Sequence, residues 1–172
     1  DLIEQLHYLA GAYPGQIVFS TSLGQEDQVI TDIIARNKIP IRIFTLDTGR
    51  LFNETYELID RTRARYKIPI EVFFPAADAV EKMVTEKGFT SFYDSVENRK
   101  ECCYVRKVEP LSRALVGAKI WITGLRSEQS ANRQQMALLD WAEDRQLHKF
   151  NPLINWSFDE MMEYIQQHNV PY

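Results

Sequence analysis

The sequence predicts an α/β fold: a parallel, twisted sheet covered by helices on both faces. Three observations predict it. Short β-branched runs alternate with amphipathic helical stripes along the whole chain. Strand, helix, strand in that order is the connection that parallel strands require. The polar clusters fall directly after strand ends, the rim at which such sheets bind ligands. At 172 residues the chain has the size of one domain with its own core.

The first strand is Ile17-Val18-Phe19, followed by the small, polar turn Ser20-Thr21-Ser22-Leu23-Gly24. Val29, Ile30, Ile33 and Ile34 then recur at helical spacing, and the stripe ends near Asn37. A second strand, Ile41 to Leu46, runs into Asp47-Thr48-Gly49 and a helix carrying Phe52, Tyr56, Ile59 and Tyr66. A third, Ile70 to Phe74, stops at Pro75. Asp78 and Glu81 are spaced as a capping box for the next helix, with Gly88 as its stop. After the Cys102-Cys103 segment come a fourth strand, Ile120 to Thr123, and a weaker fifth near Phe150. Ser157 with Glu160 opens a last helix with the apolar face Phe158, Met161, Met162 and Ile165.

Composition narrows the function. Hydrophobic residues at 45% and charged residues at 26% describe a folded globular protein and exclude a disordered one. Twenty basic against twenty-four acidic residues leave a net charge of −4, which argues against a duplex-binding surface. No apolar run reaches the roughly 18 residues of a membrane span. Two adjacent cysteines cannot build a secreted disulfide framework, so the reading is a cytoplasmic protein with neither nucleic acid nor membrane as partner. The chain opens at Asp1 without an initiator Met and stops at Tyr172 just after a helical pattern, which predicts that it continues.

Three rim clusters carry chemistry. Ser20 to Asp27 combines hydroxyls, a permissive glycine and free helix amides into a cradle for phosphate or sulfate, without the lysine of a P-loop. The same residues serve equally as a helix N-cap with acidic residues in the first turn. Leu46 to Arg50 can hold a base or ribose edge, or be a capped turn. Gly124, Arg126 and Arg133 place two guanidinium groups, which match phosphate and sulfate oxygens, at the third rim segment, which reads alternatively as a solvated loop. With Lys107 they make a locally positive pocket on an acidic protein, suited to a small polyanion.

In Glu101 to Pro110, helical spacing puts Cys103 one turn from Lys107 and Cys102 one turn from Arg106, and Pro110 kinks that helix or opens another. Buried inert thiols and metal ligation both remain open for the cysteine pair, whereas a disulfide between neighbours is strained. Zinc or an iron–sulfur cluster takes four ligands as a rule. His7, His148 and His168 are scattered, and His7 and His168 belong to amphipathic helical segments.

The segments FSTSLGQED, TLDTGRLFNETYELID, ECCYVRKVEPL, WITGLRSEQSANR and KFNPLINW occur in this order across essentially the whole chain. In this the sequence resembles the assimilatory sulfonucleotide reductases, those acting on adenylyl sulfate (APS) in particular, with their adenine-nucleotide α-hydrolase-like, Rossmann-type fold. The resemblance implies a single sulfonucleotide-binding domain over residues 1–172 and thioredoxin-dependent reduction of APS to sulfite and AMP. By position, Ser20, Ser22, Gly24 and Asp27 would line the phosphate loop. Leu46, Thr48 and Gly49 would meet adenosine, and Lys107, Gly124, Arg126 and Arg133 the phosphosulfate. Cys102 and Cys103 match half of a four-cysteine 4Fe–4S site, a pair that PAPS reductases lack. The rest of that site and the nucleophilic cysteine fall, in the family, beyond the position of Tyr172, so Lys107 is the electrostatic support that remains in this chain. The implied partners are APS and thioredoxin or a similar dithiol, with a homo-oligomer open. The competing readings are a PAPS reductase, an ATP pyrophosphatase relative of the same fold, and a non-catalytic nucleotide- or cluster-binding redox module.

Overall fold

The computed structural model describes residues 1–129 and 136–172. Helix α1 (Leu2–Ala12) leads into β1 (Ile17–Ser20), α2 (Gln25–Arg36), β2 (Arg42–Leu46), α3 (Asn53–Tyr66), β3 (Glu71–Phe73) and α4 (Ala77–Lys87). Then follow α5 (Val96–Cys103), a π turn (Tyr104–Val108), α6 (Glu109–Ala114), β4 (Ile120–Ile122), β5 (Leu139–Ala142), β6 (Leu147–Phe150) and α7 (Phe158–His168).

The strands form one sheet in the order β3-β2-β1-β4-β6-β5. β1 is paired in parallel with β2 on one side and β4 on the other, Phe19 lying between Ile43 and Ile122. The chain first winds outward to β3 and then returns through α4 to α6 to the far side of β1. That reversal opens a crevice at the carboxyl ends of β1 and β4.

Alternation along the strands feeds two cores. Ile17, Phe19, Ile120 and Ile122 pack with Leu6 of α1, Ile30 and Ile33 of α2, and Met161 and Ile165 of α7. Val18 and Phe44 join Ala114 and Leu115 on the other face. Because both faces are covered, β1 reads as an unbroken apolar run. Each of these large side chains contributes about 1.5–3 kcal/mol by leaving water.

Several local expectations are corrected. The sheet is not wholly parallel: β5 pairs antiparallel with β6, because the few residues between Ala142 and Leu147 allow a hairpin but no crossover. β5 is an edge strand, and Leu139 and Trp141 are accordingly exposed. The fifth strand expected near Phe150 is β6, parallel to β4. No capping box forms at Asp78: α4 has already begun after Ala76, so Asp78 sits inside its first turn and accepts only from Ala79 N. The box at Ser157 and Glu160 is formed in both directions, at 3.1 and 2.8 Å.

Pro110 opens α6 rather than kinking a longer helix, and the π turn before it widens the chain after Cys103. The straight one-turn stacking expected of the cysteines with Arg106 and Lys107 is therefore modified. Arg106 turns inward and is buried, while Lys107 stays exposed. Among the described residues no helix is long and apolar enough to cross a membrane.

Candidate functional site

A cavity of about 480 Å³ occupies the crevice between β1 and β4. Of the residues singled out in the sequence, Ser20, Ser22, Asp27, Leu46, Thr48, Lys107 and Gly124 line it. Segments far apart in the chain thus meet at one place because β1 lies between β2 and β4. Gly24 and Gly49 are not among its lining residues. Arg133 falls outside the described residues.

The hydroxyls after β1 are not a helix cap. The N-cap of α2 is Gly24, in extended conformation and with no side-chain bond. Thr21 Oγ1 accepts from Leu23 N at 3.0 Å, shaping the turn. Ser22 donates twice to one oxygen of Asp27, from its amide at 2.6 Å and its hydroxyl at 2.8 Å. Burial nevertheless dominates over these two donations and lifts the Asp27 carboxyl to about 6, with the Glu26 charge adding to the rise. The other Asp27 oxygen lies so close to Gly124 that a Cβ there would sit 2.0 Å from it. Only glycine lets β4 deliver its loop against α2.

The second segment is a turn organised by its own acid. Asp47 accepts from Gly49 N at 2.7 Å and from Tyr56 Oη at 2.9 Å. Gly49 has φ +81°, and its amide plane is braced by Arg106, whose Nη1 donates to Thr48 O at 2.6 Å. A Cβ at Gly49 would lie 3.1 Å from that nitrogen.

Arg126 has a different environment from the one expected for a phosphosulfate contact. Its side chain is 7% exposed and ion-paired with Glu26 at 3.0 Å and Glu128 at 3.1 Å. Glu26 itself lines the cavity, so this pair holds an acid and a base together at the wall. Among the described residues, the cations that line the cavity directly are Lys107 and Lys149. Lys149 was missed in the sequence because it belongs to a weakly marked strand. Trp121, also a lining residue, looked like ordinary strand core; its Nε1 donates to Ser20 Oγ at 2.8 Å. Arg106 was visible only as a neighbour of Cys102, and nothing local foretold its grip on Thr48.

Cys102 and Cys103 are free thiols on the last turn of α5, the second exposed and the first half-buried. They line a neighbouring cleft with Arg99, Lys100 and Arg106, and that cleft shares Thr48 and Lys107 with the cavity. Lys107 therefore stands between the two. Among the described residues no group of three or more His, Cys, Asp and Glu side chains could hold a metal ion.

Residues 16–172 match the phosphoadenosine phosphosulfate reductase domain. A protein of Allochromatium vinosum named adenosine 5'-phosphosulfate reductase is 51% identical over 156 residues, 91% of this chain and 61% of that protein. One of the same name from Agrobacterium fabrum is 45% identical over 171 residues, 99% of this chain and 65% of its own. The chain thus spans somewhat less than two thirds of the length of these relatives. The crystal structure of a phosphoadenylyl-sulfate (PAPS) reductase from Candida auris, a phosphate complex, superposes with a TM-score of 0.82 at 26% identity, covering 99% of this chain and 81% of that one. An NMN synthetase from Francisella tularensis shares the fold, with a TM-score of 0.66 at 14% identity over 99% of this chain and 68% of its own. The architecture is adenine-nucleotide α-hydrolase-like, as the sequence resemblance implied.

Proposed function

The chain belongs to the phosphoadenosine phosphosulfate reductase domain family, and from that premise we propose that the protein reduces adenylyl sulfate to sulfite and AMP with electrons from thioredoxin or a similar dithiol. One observation carries the reading. Three separate rim segments and Lys107 of the π turn line one cavity, bringing hydroxyls and the first turn of α2 next to the Leu46–Thr48 wall, and these suit the phosphosulfate and adenosine halves of one ligand. The phosphate in the Candida auris complex and the name shared by the two bacterial relatives support it.

In this reading a cysteine thiolate from outside residues 1–172 attacks the sulfate sulfur. The bond from that sulfur to the bridging oxygen breaks, AMP leaves with the electron pair, and the cysteine carries the sulfo group. A dithiol thiolate then attacks the cysteine sulfur, sulfite leaves with the pair, and the second thiol of the dithiol resolves the mixed disulfide. Two electrons pass from the dithiol to sulfur. Neither Cys102 nor Cys103 is the nucleophile.

This chain's own residues bind and polarise. The Ser20 hydroxyl and the α2 amides meet the anion, with the backbone around Leu46, Thr48 and Gly49 against adenosine. Lys107 balances the negative charge that grows on the departing phosphate. The burial of Asp27, Thr21 and Thr123 keeps water scarce behind the anion. The two thiols fit half of a 4Fe–4S ligand set, being adjacent, unpaired and surrounded by cations; the other ligands would come from outside the described residues. A cluster held there would supply a polarisable metal–sulfide charge centre beside Lys107.

Calorimetric titration of the intact protein with APS, PAPS, AMP and ATP–Mg²⁺ tests the reading. APS is expected to bind tightest and PAPS more weakly. Preference for ATP–Mg²⁺ over APS would overturn it in favour of nucleotidyl-transfer chemistry.

A further inference from the structure

Ser20 and Ser22 stand in the same loop, yet their hydroxyls are wired oppositely. A serine hydroxyl has one proton to give and lone pairs to accept with, whereas an indole N–H only donates. The Trp121 Nε1 contact to Ser20 Oγ, at 2.8 Å, therefore occupies a lone pair and leaves the Ser20 proton to be given elsewhere. Among the described residues nothing else takes it, and Ser20 lines the cavity. Ser22 spends its proton on Asp27 Oδ2 at 2.8 Å. One serine offers the cavity a donor; the other does not.

The face of the same indole carries a second group of the cavity wall. Lys149 Nζ lies over the Trp121 ring at 4.9 Å from its centroid, with the Arg145 guanidinium at 5.9 Å. A cation over an indole face is held electrostatically as well as by packing. Trp121 sits in the middle of β4, paired to Val18 of β1, so its position is set by the sheet rather than by a loop.

We propose that Trp121 is a positioning residue of the anion site: its indole N–H fixes Ser20 as a hydrogen-bond donor into the cavity, and its ring seats the Lys149 ammonium at the wall beside that donor. The inference deepens the sulfonucleotide reading and rests on it. It assigns to a strand residue the discrimination between an anionic nucleotide and a neutral nucleoside.

A double-mutant cycle in the intact protein tests it. Trp121→Phe keeps an aromatic face for Lys149 while removing the N–H together with part of the indole, and Ser20→Ala removes the N–H's target. Trp121→Phe should weaken APS binding about tenfold while leaving adenosine binding nearly unchanged. In the Ser20→Ala background the same change should have almost no further effect on APS. Equal weakening of APS and adenosine, or a full additional loss in the Ser20→Ala background, would overturn the proposal. If Trp121→Phe fails to fold, the ¹⁵N-labelled wild type decides. The Trp121 indole resonance should shift when APS saturates the protein and stay in place with adenosine, and an unmoved resonance with APS overturns the proposal. Failure of the wild type to bind APS would instead sink the sulfonucleotide reading, and inorganic phosphate then replaces APS in the same cycle.

Discussion

Asp27 and Asp32 lie on the same helix, both buried, and the fold treats them in opposite ways. Asp32 receives Tyr66 Oη at 2.7 Å, Tyr164 Oη at 2.6 Å and two Arg36 nitrogens at 3.1 and 3.2 Å. Burial works against its charge, but these donors outweigh burial and hold the carboxyl below the ordinary range. The two tyrosines are pushed up, by their own burial first and by the carboxylate next. Asp27 has one residue, Ser22, donating to one of its oxygens, and burial wins. Asp32 ties α2 to α3 and α7 and is complete without a ligand. Asp27 stands at the cavity, under-supplied with donors, where an incoming molecule changes its surroundings. Stability is conceded at the cavity and secured one and a half turns away.

Breaking the well-supplied carboxylate should cost most. Asp32→Ala leaves Arg36 and two tyrosine hydroxyls without their acceptor and is expected to destabilise the protein by about 3–5 kcal/mol in urea denaturation. A loss under about 1 kcal/mol would show that the network is dispensable.

Asp27→Asn should move stability the other way. The native carboxyl binds its proton up to about 6, against 3.8 for an ordinary aspartate. Between those values the folded state holds more protons than the unfolded chain, so this residue's contribution worsens as pH rises through the window and is fully unfavourable above it. Removing the charge should raise stability at pH 8 by up to about 3 kcal/mol and leave pH 4 unaffected. Urea midpoints of both proteins across that range read the difference; parallel profiles would mean that Asp27 is not strained. The sign is opposite for Asp32, whose lowered value means stability present above the ordinary carboxylate range and lost as pH falls through the native one.

The third change is smaller in stability and sharper in function. Gly124→Ala pushes a methyl against Asp27 and should cost about 1–3 kcal/mol while reducing APS affinity more than adenosine affinity. Equal reduction of the two would place the Gly124–Asp27 contact away from the anion.

Local features were legible because their causes are local. The Ser157–Glu160 box succeeds on residues three apart, and β1 and β4 announce themselves as apolar runs between polar turns. The Asp78 box failed because its spacing is right but the helix starts earlier, after Ala76, which spacing alone does not show. Lys107 was legible from its place after the cysteine pair, although the π turn alters the stacking that suggested it.

The alternation of strands and helices, the acidic balance and the three polar rim segments were written in the chain itself, since each depends on residues within a turn or a strand of one another; the edge strand β5 was not. Which groups end up charged, paired or free to donate was decided by topology. Trp121 reaches Ser20 across 101 positions, Arg126 reaches Glu26 across 100, and Tyr164 reaches Asp32 across 132. Placing β4 beside β1 turned a core-like tryptophan into a partner of the loop after β1 and a rim arginine into half of a buried ion pair. A hydrogen bond or a charge takes its meaning from its neighbours in space, and those exist only once the sheet has closed around β1.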